Sequence, residues 1–358
     1  MKNGLIFTLY GNINYGNKLQ NFAVQELLKN KNIESYTVVF EESINMKRIM
    51  KDFIKFFIPK YRKKIIKDRK RKKEFKKFDN NILKIKKRKI NNMKIDYYFI
   101  GSDQVWNPND TQSNKIVKFI NEATVEKKVK TISISASIAA EDIPDTNKNE
   151  YIKHFSRIDY ISVREEQAKS LIEKYTERQD VEVVLDPTML VDIKIWKEYQ
   201  QKPTVFDIYN KSNKKYVLLY FLGKINEERY DVINDFANKN GCEIINILDY
   251  NSPYYTCEPM NFLWLIDNAS FVFTDSFHSC VFSILFKKKF IVFDRLGRTN
   301  NMSSRIKNLL DIFKLNNNIY NGSIDEKKIM SDYSSVNKII KKEKEKFEKY
   351  LDEALNDK

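Results

Sequence analysis

Short apolar runs alternate with segments of helical period from the start of the chain. GLIFTLY (4–10) reads as a strand, and NKLQNFAVQELLKN (17–30) as the helix after it, with Leu19, Phe22, Ala23 and Leu27 on one face. Further strands are predicted over 36–40, 96–102, 131–137, 159–164 and 181–186. Strands that alternate with helices indicate βαβ units and a parallel sheet. A second set follows the polar stretch QKPTVFDIYNKSNKK around 200–215, whose lack of periodicity reads as a connection. Its strands fall over 216–223, 242–248, 270–276 and 290–295, with helices near 226–239, 259–269, 278–287 and 303–313. The pattern predicts an α/β chain of two Rossmann-like domains, 1–195 and 210–328, facing a central cleft, a usual place for ligands. Residues 329–358 carry Val336, Ile339, Ile340, Phe347, Leu351 and Leu355 at helical spacing and read as a C-terminal helix.

Composition changes this picture in one place. The chain of 358 residues carries a formal charge of +16, but the charge is local. Between Lys47 and Lys89, 21 Lys or Arg stand against four acids, a net of +17 that leaves about −1 for the rest. This stretch, 47–89, reads as a basic insertion in the first domain made of two helices split at Pro59, with Phe53, Phe56 and Phe57 in one and Phe75, Phe78 and Ile82 in the other. A basic amphipathic segment suits an anionic membrane surface, where each cation contributes on the order of 1 kcal/mol; the plainer reading is a solvated hairpin. No nucleic-acid module is recognisable, so no nucleic-acid partner is expected. No apolar run is long enough to span a bilayer and the opening is too short for a signal peptide. The expected location is therefore the cytoplasm, with peripheral attachment at the inner face of the plasma membrane through 47–89. Cys242, Cys257 and Cys280 are odd in number and lack CxxC spacing, which argues against disulfides or zinc.

Candidate chemistry gathers at predicted strand ends. The chain has two histidines, and His278 lies in FTDSFHSC, just past a strand. Asp275 or Ser276 can cap the helix that follows, whose N-terminus would attract an anion. A histidine there can donate to that anion or pass it a proton. Arg164, at the end of ISVR, suits bidentate binding of carboxylate or phosphate, or else a salt bridge to Glu165, Glu166 or another acid. Arg295, Arg298 and Arg305 follow the next strand. In the first half, YGNINYGNKLQN offers Asn14, Asn17 and Gln20 at a helix N-terminus, which suits hydroxyl-rich neutral ligands or a simply capped turn. That turn lacks GxGxxG and the P-loop pattern. FIGSDQVWNP places Asp103 past a strand with Trp106 nearby: a carboxylate beside an aromatic platform suits a sugar, although an ordinary turn aspartate would look the same.

NINYGNKLQNFAVQ, DYYFIGSDQVWNP, SISASIAA, DYISVREEQ, VVLDPTML, YVLLYFLG and FTDSFHSCVFSILFKKKFIVFDR, in that order, resemble the polysaccharide pyruvyl transferase family over roughly residues 4–315. The resemblance implies a fold of the GT-B type and transfer of pyruvate from phosphoenolpyruvate to two hydroxyls of a sugar as a ketal, in bacterial cell-surface polysaccharide synthesis. It implies His278 as the histidine at phosphoenolpyruvate, with Ser279 where glycine is usual, and Lys289 where a proline is usual. It further implies Arg164 and either Arg295 or Arg298 as anion clamps. From these we expect His278, Asp103 and Arg164 as catalytic groups. Arg164, Ser276, His278, Ser279, Arg295 and Arg298 are expected on the donor side, in the second domain except for Arg164. Asn14, Asn17, Gln20, Asp103 and Trp106 are expected on the acceptor side, in the first. Phosphoenolpyruvate serves as co-substrate, with no cofactor or metal expected; the acceptor is a sugar, in one version carried on polyprenyl diphosphate. The alternative is a GT-B glycosyltransferase with a nucleotide-sugar donor, although no convincing ribose-binding acid stands near the end of the second domain.

Overall fold

The computed structural model describes residues 2–11, 13–40, 56–87, 93–125, 129–210, 214–296, 301–327, 329 and 333–356. The chain divides into two compact units. The first comprises Met1–Phe40, Ile82–Asp192 and Ser334–Lys358; the second comprises Glu41–Asn81 and Ile193–Tyr333.

The first unit is built on β1 (Lys2–Phe7), β2 (Ile33–Val39), β3 (Ile85–Lys87), β4 (Tyr97–Asp103), β5 (Lys130–Ala136), β6 (Ser162–Val163) and β7 (Glu182–Val183), in the order β3-β2-β1-β4-β5-β6-β7. The second holds β8 (Tyr216–Tyr220), β9 (Glu243–Asn246), β10 (Phe271–Thr274) and β11 (Phe290–Val292), in the order β11-β10-β8-β9. All the ladders are parallel. Every residue of β8 and β10 is buried, as expected of parallel strands covered on both faces. Phe7, Ile100, Val105, Trp106 and Phe155 belong to a core of the first unit, and Val217, Phe236, Phe271, Phe273 and Phe293 to one of the second. In each sheet the strand order reverses once, between β1 and β4 and between β8 and β10. In open α/β sheets such a switch point opens a crevice beyond the carboxyl ends of the strands.

Three helices correct the boundaries read from sequence. Within the segment 47–89, residues 47–55 and 88–89 lie outside the described residues. In the remainder the helix breaks at Phe57 and Ile58, where the split at Pro59 was expected, and α2 runs over Pro59–Ile82, followed by β3; helix α1 (Tyr15–Asn30) precedes both. Pro59 begins α2 because the first helical position needs no N–H partner. Nearly all of α2 groups with the second unit, not the first. The Tyr255 hydroxyl donates to Asp68 at 2.6 Å, Lys67 donates to the Asn251 and Ser252 carbonyls, and Arg71 donates to the Tyr255 carbonyl while stacking at 5.0 Å on the Tyr255 ring. The stretch 200–215 also belongs to the second unit, because Phe206 in helix Thr204–Tyr209 packs on Tyr216 and Trp264. The last helix (Ser334–Asn356) is part of the first unit: it buries Phe347, Leu351 and Ala354, and Tyr350 donates to the Ser133 carbonyl of β5 at 2.7 Å.

Candidate active site

Both switch points carry the polar groups that the sequence pattern singled out. In the first unit, β4 ends on Gly101, Ser102 and Asp103. Gly101 has φ +117°, and a Cβ there would come within 2.4 Å of the Ile134 carbonyl oxygen, so glycine alone fits. Asp103 (φ +68°), Ser135 (φ +48°) and Ala139 (φ +51°) also take left-handed backbone. Such conformations cost about 1–3 kcal/mol each outside favoured sequences and tend to mark functional crests. The Asp103 carbonyl accepts the Ser137 N–H at 2.9 Å, which ties the ends of β4 and β5 together.

Asp103 is half-buried, and its carboxylate accepts the side-chain amide of Asn17 at 3.3 Å. Asn17 also donates to the Leu9 carbonyl at 2.8 Å, while Asn14 caps α1 by accepting the Asn17 N–H. Asn14, Asn17 and Asp103 are thus brought together. Gln20 and Trp106 are not. Gln20 is fully buried and donates to Thr8 at 3.1 Å; Thr8 in turn donates to the Ser102 carbonyl, so Gln20 braces α1 against β4. Trp106 is a core residue with no exposed surface. Its indole N–H donates to Nε2 of His154 at 2.8 Å, and its ring meets Phe155 edge to face. The expectation of Trp106 as a sugar platform and of Gln20 as a lining residue is corrected on these grounds. The same contact accounts for the chain's other histidine: burial pushes the His154 pKa down to about 3 and keeps it a neutral acceptor.

Arg164 is 3% exposed at its side chain. Its Nη2 lies 3.0 Å from Asp186 and donates to the Ser102 hydroxyl at 2.6 Å. Asp186 also caps the short helix Pro187–Leu190 through Thr188. The salt bridge that sequence left open is therefore made, with Asp186 of VVLDPTML as the acid. Through Nη2, Arg164 fastens the end of β6 to the ends of β4 and β7. Lys18 was missed. It is buried in the first turn of α1 with Nζ 4.2 Å from the centre of the Tyr10 ring. A lysine at the positive end of a helix dipole, on a buried face, was the available signal.

In the second unit, α3 (Phe277–Leu285) starts directly after β10 and α4 (Asn301–Phe313) follows β11. Asp275 gathers the crest: its carboxylate accepts the N–H groups of Leu222 and Gly223, both at 2.7 Å, and Nε of Arg295 at 3.3 Å. Arg295 also donates to the Asp275 carbonyl at 2.9 Å, and its side chain is 7% exposed. A Cβ at Gly223 would fall 2.8 Å from Arg295 Cγ and 2.9 Å from the Asp275 carboxylate, which explains the glycine. Arg295 thus ties the end of β11 to the β10 loop, while Asp275 ties in the β8 loop; Arg298, its rival in sequence, lies outside the described residues.

Ser276 is the N-cap of α3 by position, but its side chain makes no capping bond, and its N–H donates to Thr274. The second helical residue is His278, 8% exposed, with its ring edge-on to Phe277 at 5.3 Å. Ser279 is fully buried, and its hydroxyl finds no partner among the described residues, so the hydroxyl that replaces the usual glycine hydrogen points inward. Arg305 of α4 is buried with its guanidinium 5.7 Å from the Phe277 ring. A helix N-terminus flanked by a histidine and an arginine can hold a compact anion and pass it a proton. The first unit offers neutral amides and one carboxylate, a set that recognises hydroxyls and can remove a proton from one.

The family model for polysaccharide pyruvyl transferase matches residues 14–297, most of the chain, including the ends of β4, β8 and β10 at the switch points; β1 lies before the matched region. Among curated proteins none matches. Of solved structures, Anabaena HepE in complex with UDP and glucose is similar over 98% of this chain and 99% of its own, at 10% identity and a TM-score of 0.51. The UDP-GlcNAc 2-epimerase from Neisseria meningitidis bound to UDP-GlcNAc is similar over 96% and 93%, at 11% identity and a TM-score of 0.49. At these identities the likeness concerns the fold, two Rossmann-like domains of the GT-B type.

Proposed function

The chain belongs to the polysaccharide pyruvyl transferase family, and we propose that it moves pyruvate from phosphoenolpyruvate onto two hydroxyls of a sugar as a ketal. The observation that carries this reading is His278 in the first turn of α3, at the β8/β10 switch point and inside the matched region. In the reaction the methylene carbon of phosphoenolpyruvate gains a proton and becomes the ketal methyl. The adjacent carbon forms two C–O bonds to the acceptor, and its bond to the phosphate oxygen breaks. The two hydroxyl protons balance the new methyl hydrogen and the proton on departing phosphate.

His278 is the proposed proton donor, and the N-terminus of α3 with Arg305 takes the phosphate or carboxylate charge. Asp103 is the proposed base for an acceptor hydroxyl, held in place by Asn17. Asn14 borders the acceptor. Arg164 and Arg295 act by fixing the crests on which these groups stand. The acceptor is proposed to be a saccharide on a polyprenyl diphosphate carrier at the cytoplasmic face of the membrane, a reading supported by the basic face of α2.

Melting temperatures of wild type and His278→Ala test this, with phosphoenolpyruvate and separately with UDP and GDP sugars. A ligand at 100 times its dissociation constant adds about 2.7 kcal/mol of stability. Stabilisation of wild type by phosphoenolpyruvate, diminished in the variant, is expected. Stabilisation by a nucleotide sugar alone would overturn the donor assignment in favour of a glycosyltransferase.

A further inference from the structure

We propose that the outer face of α2 docks the enzyme on an anionic lipid surface. The helix is 24 residues long, and its inner stripe, Asp68, Arg71, Phe75 and Phe78, is covered or partly covered. From Arg62 to Lys77 its exposed positions include nine Lys or Arg and not one acid. The outermost stripe reads Arg62, Ile66, Arg69, Lys73 and Lys76, at i, i+4, i+7, i+11 and i+14. This spacing keeps four cations and one isoleucine on a single line opposite the covered side.

Two observations separate this face from an ordinary solvated helix. The chain provides its own control in the final helix, Ser334–Asn356, where exposed lysines are interleaved with glutamates in i,i+4 pairs, Lys341 with Glu345 and Lys349 with Glu353. Of the nine exposed cations of α2, Lys77 pairs with Glu74 at 2.7 Å, but the outermost stripe itself holds no acid, so its cations repel one another unless something negative covers them. The second observation is apolar: Phe57 (69% exposed), Ile58 and Tyr61 gather at the start of the helix, and Ile66 (49% exposed) lies one turn further on. The guanidinium groups of Arg62 and Arg69 lie 5.3 and 5.4 Å from the Phe56 ring. Aromatic and aliphatic side chains beside a uniform row of cations suit the headgroup boundary of a bilayer, where the charges meet lipid phosphates and the apolar groups enter the acyl edge. A nucleic acid would satisfy the charges but leave Phe57, Ile58 and Ile66 in water.

Flotation of the full chain with vesicles of phosphatidylcholine alone, or with one-third phosphatidylglycerol, tests the proposal. Two variants accompany the wild type: Arg69→Gln, Lys70→Gln, Lys73→Gln, Lys76→Gln together, and Phe57→Ser with Ile66→Ser. All six positions are exposed, so both variants should melt with wild type. The expected result is binding to the anionic vesicles alone, weakened by salt, and weakened at least a hundredfold in the charge variant at about fivefold per cation removed. The apolar variant should bind more weakly at unchanged salt sensitivity. Equal binding to both vesicle types, no binding to either, or an apolar variant that binds like wild type would each overturn the proposal. Tighter binding to a short nucleic-acid duplex than to the anionic vesicles would do the same. None of these outcomes depends on phosphoenolpyruvate, so the test is independent of the donor assignment.

Discussion

His154→Gln isolates a strongly shifted imidazole. In the folded protein His154 accepts the Trp106 indole N–H at 2.8 Å in a fully buried setting, and burial holds its pKa at about 3. In the unfolded chain the ring titrates near its ordinary value of about 6.5. Below that value the unfolded state binds a proton that the folded state refuses, so stability falls as pH falls, by about 1.4 kcal/mol per pH unit until about pH 3. Above about pH 6.5 both states are neutral and the contribution is complete. At about pH 5 wild type should therefore have lost about 2 kcal/mol through this group alone. Glutamine can still accept from the indole through its amide oxygen but cannot titrate. Urea unfolding at about pH 7 and about pH 5 gives the comparison: the wild-type loss should exceed the variant's by about 2 kcal/mol. Equal losses would refute the assignment of His154 as a buried neutral acceptor.

The two crests give further tests. Asp103→Asn removes the proposed base while keeping a residue type that tolerates φ +68°, so turnover should drop by about 10²–10⁴-fold with little change in melting temperature. A variant that keeps wild-type turnover would remove Asp103 from the mechanism. Asp275→Asn leaves Arg295 without its carboxylate and turns an amide NH₂ toward the Leu222 or Gly223 N–H, which should cost about 3 kcal/mol in denaturant unfolding. A loss below about 1 kcal/mol would mean that Asp275 does not organise the crest.

The strands of the second half were legible because each is a short apolar run bounded by polar turns. The residues 271–274 and 290–292 fall inside the predicted spans. The position of His278 followed from the same pattern. What the pattern could not supply was the partner of each polar side chain. Arg164 at a strand end looks the same whether it meets a ligand or Asp186, which is 22 positions further along. Trp106 three residues past Asp103 suggested a platform, but its environment depends on His154 and Phe155, brought in from a distant helix. The charge run likewise did not fix the unit to which α2 belongs, which is set by contacts such as Tyr255 with Asp68, whereas Pro59 did mark where the helix starts. Local periodicity encodes elements, while long-range pairing decides which polar groups brace the fold and which meet a ligand.

The return of the helix Ser334–Asn356 to the first unit has a consequence for biosynthesis. The first unit is not contiguous in the chain: its last segment follows all of Ile193–Tyr333. Domains tend to fold as their residues emerge, N-terminal first. Here the unit that begins first must wait longest, because Tyr350 and Leu351 leave the ribosome only after the whole of the second sheet. A chain truncated after residue 333 would hold all residues of the second unit and a first unit still missing the helix that covers Ser133.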